Sequence, residues 1–168
     1  KVICGITRNF AGMIALRLSD FSEHDCREAA AIFAEYAETL GFSLDFQRFD
    51  AELEDLKALY GPPGGCLMLA EDEGAVAGAV ALKPLSEPGV CEMKRLYVRP
   101  AFRKTGLGRQ LAEALITEAR AKGYHTLKLD SLKTMTPALA LYERLGFRPT
   151  APYVFNPLPD AVYLALSL

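Results

Sequence analysis

RKTGLGRQL, residues 103–111, follows LYVRPAF and precedes AEALITEARAKG. Upstream, Val90–Val98 reads as a strand. Downstream, Leu111, Ala112, Leu115, Ile116 and Ala119 recur at helical spacing within Gly108–Lys122, and Gly123 closes that helix. Gly106 and Gly108 therefore stand where a strand gives way to a helix. Each weakens a helix by about 0.5–1 kcal/mol relative to alanine. In return, glycine admits positive φ and lets a ligand approach the backbone without a Cβ in the way. The N–H groups of a first helical turn are unpaired, and the helix dipole favours an anion beside them. Arg103, Lys104 and Arg109 add positive charge, so a phosphate or pyrophosphate is the natural guest. The same residues also fit a plain turn carrying surface arginines. Two familiar phosphate motifs are absent: no Walker A sequence occurs, and Leu111 occupies the third-glycine position of G-x-G-x-x-G.

Working outward, Met13–Ser19 alternates as a first strand. Asp20 or Ser22 is placed to cap a helix whose stripe is Ala29, Ile32, Phe33, Tyr36, Ala37 and Leu40, ending at Gly41. Asp50–Tyr60 carries a second helical pattern with Leu53, Leu56, Leu59 and Tyr60 on one face, stopped by GPPGG. Cys66–Glu71 and Ala75–Lys83 are apolar runs split by a turn, a hairpin signal. Later come a short strand at His125–Leu129, a helix at Thr136–Leu145 stopped by Gly146, and strands at Phe147–Phe155 and Ala161–Leu168. The order β-α-α-β-β-β-α-β-α-β-β predicts a mixed-sheet α/β (α+β) domain, with a mostly antiparallel sheet flanked by helices. One domain over residues 1–168 is expected, without repeats or linkers.

Composition narrows the function classes. With 51% hydrophobic and 24% charged residues, the chain can build a core. A net charge of −2 gives no general attraction to nucleic acid, so none is expected as a partner. No apolar run reaches the ~20 residues that span a bilayer, so no membrane association is expected. Cys4, Cys26, Cys66 and Cys91 form no C-x-x-C pair and read as free thiols of a reducing compartment. A cytoplasmic location is therefore expected. His24 and His125 form no metal set with these cysteines, and no metal is expected.

Leu96-Tyr97-Val98-Arg99-Pro100 followed by Arg103-x-x-Gly106-x-Gly108 resembles the acetyl-coenzyme A segment of the GNAT N-acetyltransferases. Ala138-x-x-Leu141-Tyr142-x-x-x-Gly146-Phe147 resembles a second block of that family at a matching distance. Together they cover residues 90–148. The resemblance implies an acyl-CoA N-acyltransferase fold and acetyl-CoA as acyl donor. It places the pyrophosphate on backbone amides between Arg103 and Gly108, with Lys104, Thr105 and Arg109 beside them. It places the pantetheine arm along Leu96 and Val98, where two parallel strands splay apart. The family block commonly has asparagine where this chain has Met135, so one polar contact is lost or is supplied by Ser131, Thr134 or Thr136.

Acetyl transfer to an amine needs a deprotonated amine, a donor for the oxyanion and a proton for the departing thiolate. Tyr142 is the candidate acid implied by the second block, although it also lies on the apolar stripe Ala138, Leu141, Tyr142 and Leu145 and fits a packing role. Glu92, an isolated carboxylate in the strand GVCEMKRLYV, is the candidate base, acting directly or through water. It also fits a partner for Lys94 or a neighbouring strand's cation. The acceptor wall is expected from an aromatic-rich set: Tyr36, Phe46, Arg48, Phe49, Tyr60, Tyr153, Phe155 and Asn156. Arg95 and Arg99 are placed to meet an acceptor carboxylate or to be solvated. The acceptor is expected to be a small-molecule amine such as an amino acid. A protein or peptide amine, and a non-catalytic acyl-CoA-binding module, stay open. A homodimer is expected by analogy and from the apolar, edge-like final strand.

Overall fold

The computed structural model of the chain describes residues 5–9, 12–41, 43–45 and 48–168. Strand β3 (Cys66–Asp72) and β4 (Ala75–Pro84) show why the chain makes a two-sided sheet. Their apolar runs do not alternate, and both faces are covered. On one face lies α4 (Leu107–Ala121), whose Leu111, Leu115 and Ala119 join Met68, Val80 and Met93 in one cluster. On the other lies α1 (Glu23–Leu40), whose Ala29, Ile32 and Phe33 pack with Leu67, Leu69 and Ala79.

The remaining elements are β1 (Gly5–Asn9), β2 (Gly12–Leu18), α2 (Phe49–Glu54), α3 (Leu56–Tyr60), β5 (Val90–Val98), β6 (Thr126–Leu132), α5 (Thr136–Arg144), β7 (Arg148–Pro149) and β8 (Ala161–Ser167). A single 3-10 turn at Pro100–Phe102 links β5 to the approach of α4. The eight-stranded sheet runs β1-β2-β3-β4-β5-β6-β8-β7. Among the described residues every pairing is antiparallel except β5 with β6. The mixed, mostly antiparallel sheet flanked by helices is the expected fold class.

Four details depart from expectation. β1 is an added strand, recruited by register with β2 rather than by any periodicity of its own. The second helix is two helices. Asp55 leaves the helical path at φ −141° and ψ 72°, and its side chain caps α3 by accepting from Ala58 N at 2.9 Å. That rotation keeps Leu56 and Tyr60 inside but leaves Leu59 40% exposed. The strand expected at Phe147–Phe155 shrinks to two residues; after Thr150 the chain carries Tyr153 to Glu92 and Asn156 to the cleft lining. The final strand is not an open edge along its middle: β7 pairs with Ala165 and Leu164, and Thr150 N donates to Tyr163 O at 2.9 Å.

A partly buried ion cluster joins α1 to the sheet. Ser22 caps α1, while Asp25 turns away from the cap to receive Arg17 Nη1 at 2.7 Å and Nη2 at 2.6 Å. Arg17 also reaches Glu71 on β3. Hydrogen bonds from Arg17 overcome burial and hold the Asp25 carboxyl down at about 2, below its ordinary 3.8. A carboxyl with a depressed folded value contributes stability above its unfolded pKa and loses it as pH falls through the folded one. The Asp25→Asn variant is therefore expected to show a flatter fall in chemical-denaturation midpoint between about pH 4 and about pH 2 than the native chain. Parallel curves would remove Asp25 as a source of acid sensitivity.

Candidate functional site

The parallel pair at the centre of the sheet is short. β5 and β6 match only at Val90–Thr126, Cys91–Leu127 and Glu92–Lys128. Beyond Glu92 the strands diverge, and a cleft of about 90 Å³ opens between them. Met93 to Leu96 form one wall and Leu129 to Leu132 the other. Tyr36, Leu40 and Leu44 line it from α1 and the segment after it, and Met135, Ala138 and Tyr142 line the α5 side.

A β-bulge sets what β5 shows to this cleft. Lys94 pairs with Ala81 and Tyr97 with Ala79, so Arg95 and Leu96 together oppose Val80. Arg95 is left-handed at φ +59°. The insertion flips the alternation downstream. Arg99 N donates to Ala77 O on β4 at 2.9 Å. By alternation, Tyr97 turns its peptide groups toward β4 as well. Leu96 and Val98 then turn theirs the other way, toward the cleft, where no strand pairs with them.

The open strand edge leads to the start of α4. Lys104 and Gly106 are left-handed, at φ +65° and +86°, and Gly106 occupies the N-cap with no capping side chain. The first bond of the helix is Gln110 N to Gly106 O, 3.1 Å, so the N–H groups of Leu107, Gly108 and Arg109 point out of the helix end. The two glycines differ in cause. Gly106 needs its positive φ. A Cβ on Gly108 would meet only Val98 Cγ2 at 3.7 Å and Leu141 Cδ2 at 4.0 Å, which are ordinary contacts. Packing within the chain does not require glycine at 108, where a Cβ would stand between Val98 and Leu141. The surrounding side chains are arranged as a frame. Arg103 Nε donates to Val98 O at 3.0 Å and its guanidinium lies 5.4 Å from the Tyr97 ring centre. Thr105 Oγ1 donates to Phe102 O at 2.7 Å, and Arg109 pairs with Glu113 at 2.7 Å. Lys104 is exposed.

Tyr142 lines the cleft from α5, packed edge-on against Phe147 at 5.7 Å. Burial pushes its hydroxyl well above the ordinary value of 10, so it stays protonated. Glu92 is fully buried, one step behind the cleft wall. Its Oε1 accepts from Tyr153 OH at 2.9 Å and lies 3.7 Å from Lys94 Nζ. Its Oε2 has Lys83 Nζ at 3.2 Å, in a geometry that makes no hydrogen bond. Lys94 also reaches Asp130 Oδ1 at 3.4 Å, and Asn156 Nδ2 donates to Asp130 Oδ2 at 3.0 Å. Glu92, Lys94, Asp130, Asn156 and Tyr153 thus form one polar chain under the cleft. Burial, with Glu92 adding to it, raises the Tyr153 hydroxyl far above its ordinary value.

Of the expected acceptor wall, Tyr36 and Asn156 line the cleft. Tyr153 is held on Glu92. Phe49 and Tyr60 lie in the core, Phe155 is 79% exposed, and Phe46 falls outside the described residues. Arg95 lines the cleft, but its guanidinium is engaged. Nε and Nη2 bind Glu52 at 2.9 and 2.6 Å. Burial would raise the Glu52 carboxyl; Arg95 outweighs it and leaves the group lowered. Arg99 is likewise paired, with Glu35. His24 and His125 are exposed and away from the cleft lining. Cys66 and Cys91 are buried thiols pushed up to about 12. Among the described residues no cluster fits a metal ion, and no helix is long and apolar enough to cross a membrane.

Sequence reasoning missed Asp130 and Glu52. Asp130 marks the end of a strand candidate and carries no motif. Glu52 left a signal: it is a carboxylate on the buried face that Phe49, Leu56 and Tyr60 define.

Comparison with known proteins agrees with this geometry. The profile of the acetyltransferase (GNAT) family matches residues 29–147. An uncharacterized N-acetyltransferase of Schizosaccharomyces pombe is 42% identical over 145 residues, covering 86% of this chain and 89% of that one. The crystal structure of an acetyltransferase from Streptococcus agalactiae superposes with a TM-score of 0.77 at 19% identity, covering 92% of this chain and 98% of that one. A Bacillus subtilis acetyltransferase in complex with CoA superposes with a TM-score of 0.66 at 22% identity, covering 92% and 99%. A sheet forked at its parallel pair, a glycine-started helix at the fork and the matched profile lead to one conclusion: the chain belongs to the GNAT family of acetyltransferases.

Proposed function

We propose that the chain transfers an acetyl group from acetyl-CoA to the primary amine of a small molecule by direct attack. The observation that carries this reading is the proximity of three features: the open N-terminus of α4, the edge at Val98 and Leu96 that no strand pairs with, and the Tyr142 side chain in the cleft that Leu96 lines. Backbone N–H groups between Arg103 and Gly108 receive the pyrophosphate, with Lys104, Thr105 and Arg109 around it. Leu96 and Val98 pair with the pantetheine arm. The donor supplies an acetyl thioester; the chain supplies position and protons.

Tyr142 holds its proton at neutral pH and gives it to the departing sulfur. Glu92 accepts the amine's proton through water, since it stands behind the cleft wall rather than on it. Tyr36 and Asn156 face the acceptor, and Tyr153 holds Glu92. A small acceptor is favoured because the cleft is only about 90 Å³ and Tyr36, Leu40 and Leu44 are part of its lining.

Turnover is tested by thiol release from acetyl-CoA across a panel of amines, amino acids and peptides. Release with small amines is the expected result; release with peptides alone would overturn the small-molecule reading. The Gly108→Leu variant, whose Cβ would meet only ordinary contacts and whose fold is checked by its thermal midpoint, is expected to bind acetyl-CoA at least about tenfold more weakly, about 1.4 kcal/mol, by calorimetry. Unchanged affinity would sink the pyrophosphate assignment. Tyr142→Phe is expected to lower kcat by about 100-fold while leaving donor affinity nearly unchanged; an equal kcat would make Tyr142 a packing residue. Glu92→Gln is expected to flatten the rising acidic limb of the pH–rate profile, because a base must lose its proton before it acts. A profile with the same limb would remove it as base.

A further inference from the structure

The α2–α3 segment contributes no residue to the cleft wall, yet it carries a buried charge aimed at β5. Arg95 and Glu52 are 6% and 4% exposed. Two guanidinium nitrogens of Arg95 bind the two Glu52 oxygens, and Tyr60 OH donates to Glu52 Oε1 at 2.7 Å. Phe49 lies beneath the guanidinium at 5.0 Å. A buried ion pair is a poor stabiliser compared with apolar residues of similar size, and its best-attested use is to fix a register. Register is what is at stake here. Arg95 is the left-handed residue of the β5 bulge, and a Cβ makes that conformation unfavourable for an L-residue. Without the bulge, the alternation after Lys94 would invert, and Leu96 and Val98 would turn their peptide groups toward β4 instead of the cleft.

We propose that Glu52 is a positioning residue for acetyl transfer: through Arg95 it holds the β5 bulge in the register that presents the Leu96 and Val98 backbone to the acyl donor. This rests on the donor site proposed above. Glu52 touches neither donor nor acceptor. Its effect passes through one side chain to one backbone conformation, which makes it separable from packing.

The test uses the difference between glycine and alanine in the left-handed region. Removing Arg95 alone would bury an unpaired carboxylate, so the comparison is made in the Glu52→Gln background. Glu52→Gln itself is expected to lower kcat/KM for acetyl-CoA about tenfold. Adding Arg95→Ala removes the hold and keeps a Cβ; adding Arg95→Gly removes the hold but frees the backbone to take positive φ. The E52Q/R95G protein is expected to exceed E52Q/R95A about tenfold in kcat/KM, with thermal midpoints of both above the assay temperature. A purely structural pair would give equal kcat/KM in the two, or a lower value for glycine, and either result would overturn the proposal. If the native chain turns over no amine, the transferase reading fails by itself. CoA affinity of the same two variants, measured by calorimetry, then decides: tighter binding by the glycine variant supports the bulge hold, and equal binding contradicts it.

Discussion

The structure depends on a parallel pairing that stops after three residue pairs. β5 and β6 are joined from Val90 to Glu92, and both continue well past the point where they part. A sheet normally satisfies every central peptide group with a neighbouring strand. Here the β6-facing groups of β5 beyond those pairs meet no strand in the middle of the fold, and Val98 O is held by the Arg103 side chain instead. An extended guest that carries its own amides can complete that edge. The rest of the molecule follows from keeping the gap open without losing the sheet. Three pairs hold it at one end, β8 stiffens β6 from the far side, and α4 and α1 clamp β4 and β5 through separate apolar clusters.

Charge is placed with the same economy. The cations around the α4 start are exposed, where an anion can meet them and where they cost little to hold. The buried and half-buried charges lie elsewhere, each with a partner on another element: Arg17 with Asp25, Arg95 with Glu52, Lys94 with Asp130. Such pairs contribute less to net stability than to choosing one arrangement over its neighbours. Each of these three joins a strand of the central sheet to an element that has to stand at one distance from it. The chain that runs from Glu92 through Lys94 and Asp130 to Asn156 spans the fork itself, one carboxylate on each diverging strand.

Much of this is legible in the sequence. β3, β4, β5 and α4 stand within a few residues of their expected bounds, because long apolar runs and a clean helical period leave few alternatives. The glycine at 106 announced a left-handed residue at a strand-to-helix junction. The second block drew attention to Tyr142, and it does stand in the cleft. Other features left weaker marks or none. β1 has no periodicity and exists by pairing with β2. The helix break at Asp55 needed cap geometry, since Leu59 fits the inward stripe as well as Tyr60 does. The bulge at Arg95 was invisible: nothing local marks an arginine as left-handed, and its partner lies 43 residues away. Arg95 was accordingly read as a surface or acceptor-facing cation, whereas it is a buried ion-pair member.

The central claim is that one guest spans the α4 start and the open edge of β5. Backbone amide shifts during a titration with CoA test it most directly. The account predicts that the amides of Leu96, Val98, Gly106, Leu107 and Gly108 move together and saturate at one CoA concentration. Movement confined to other elements, with these five amides unchanged at saturation, would contradict it.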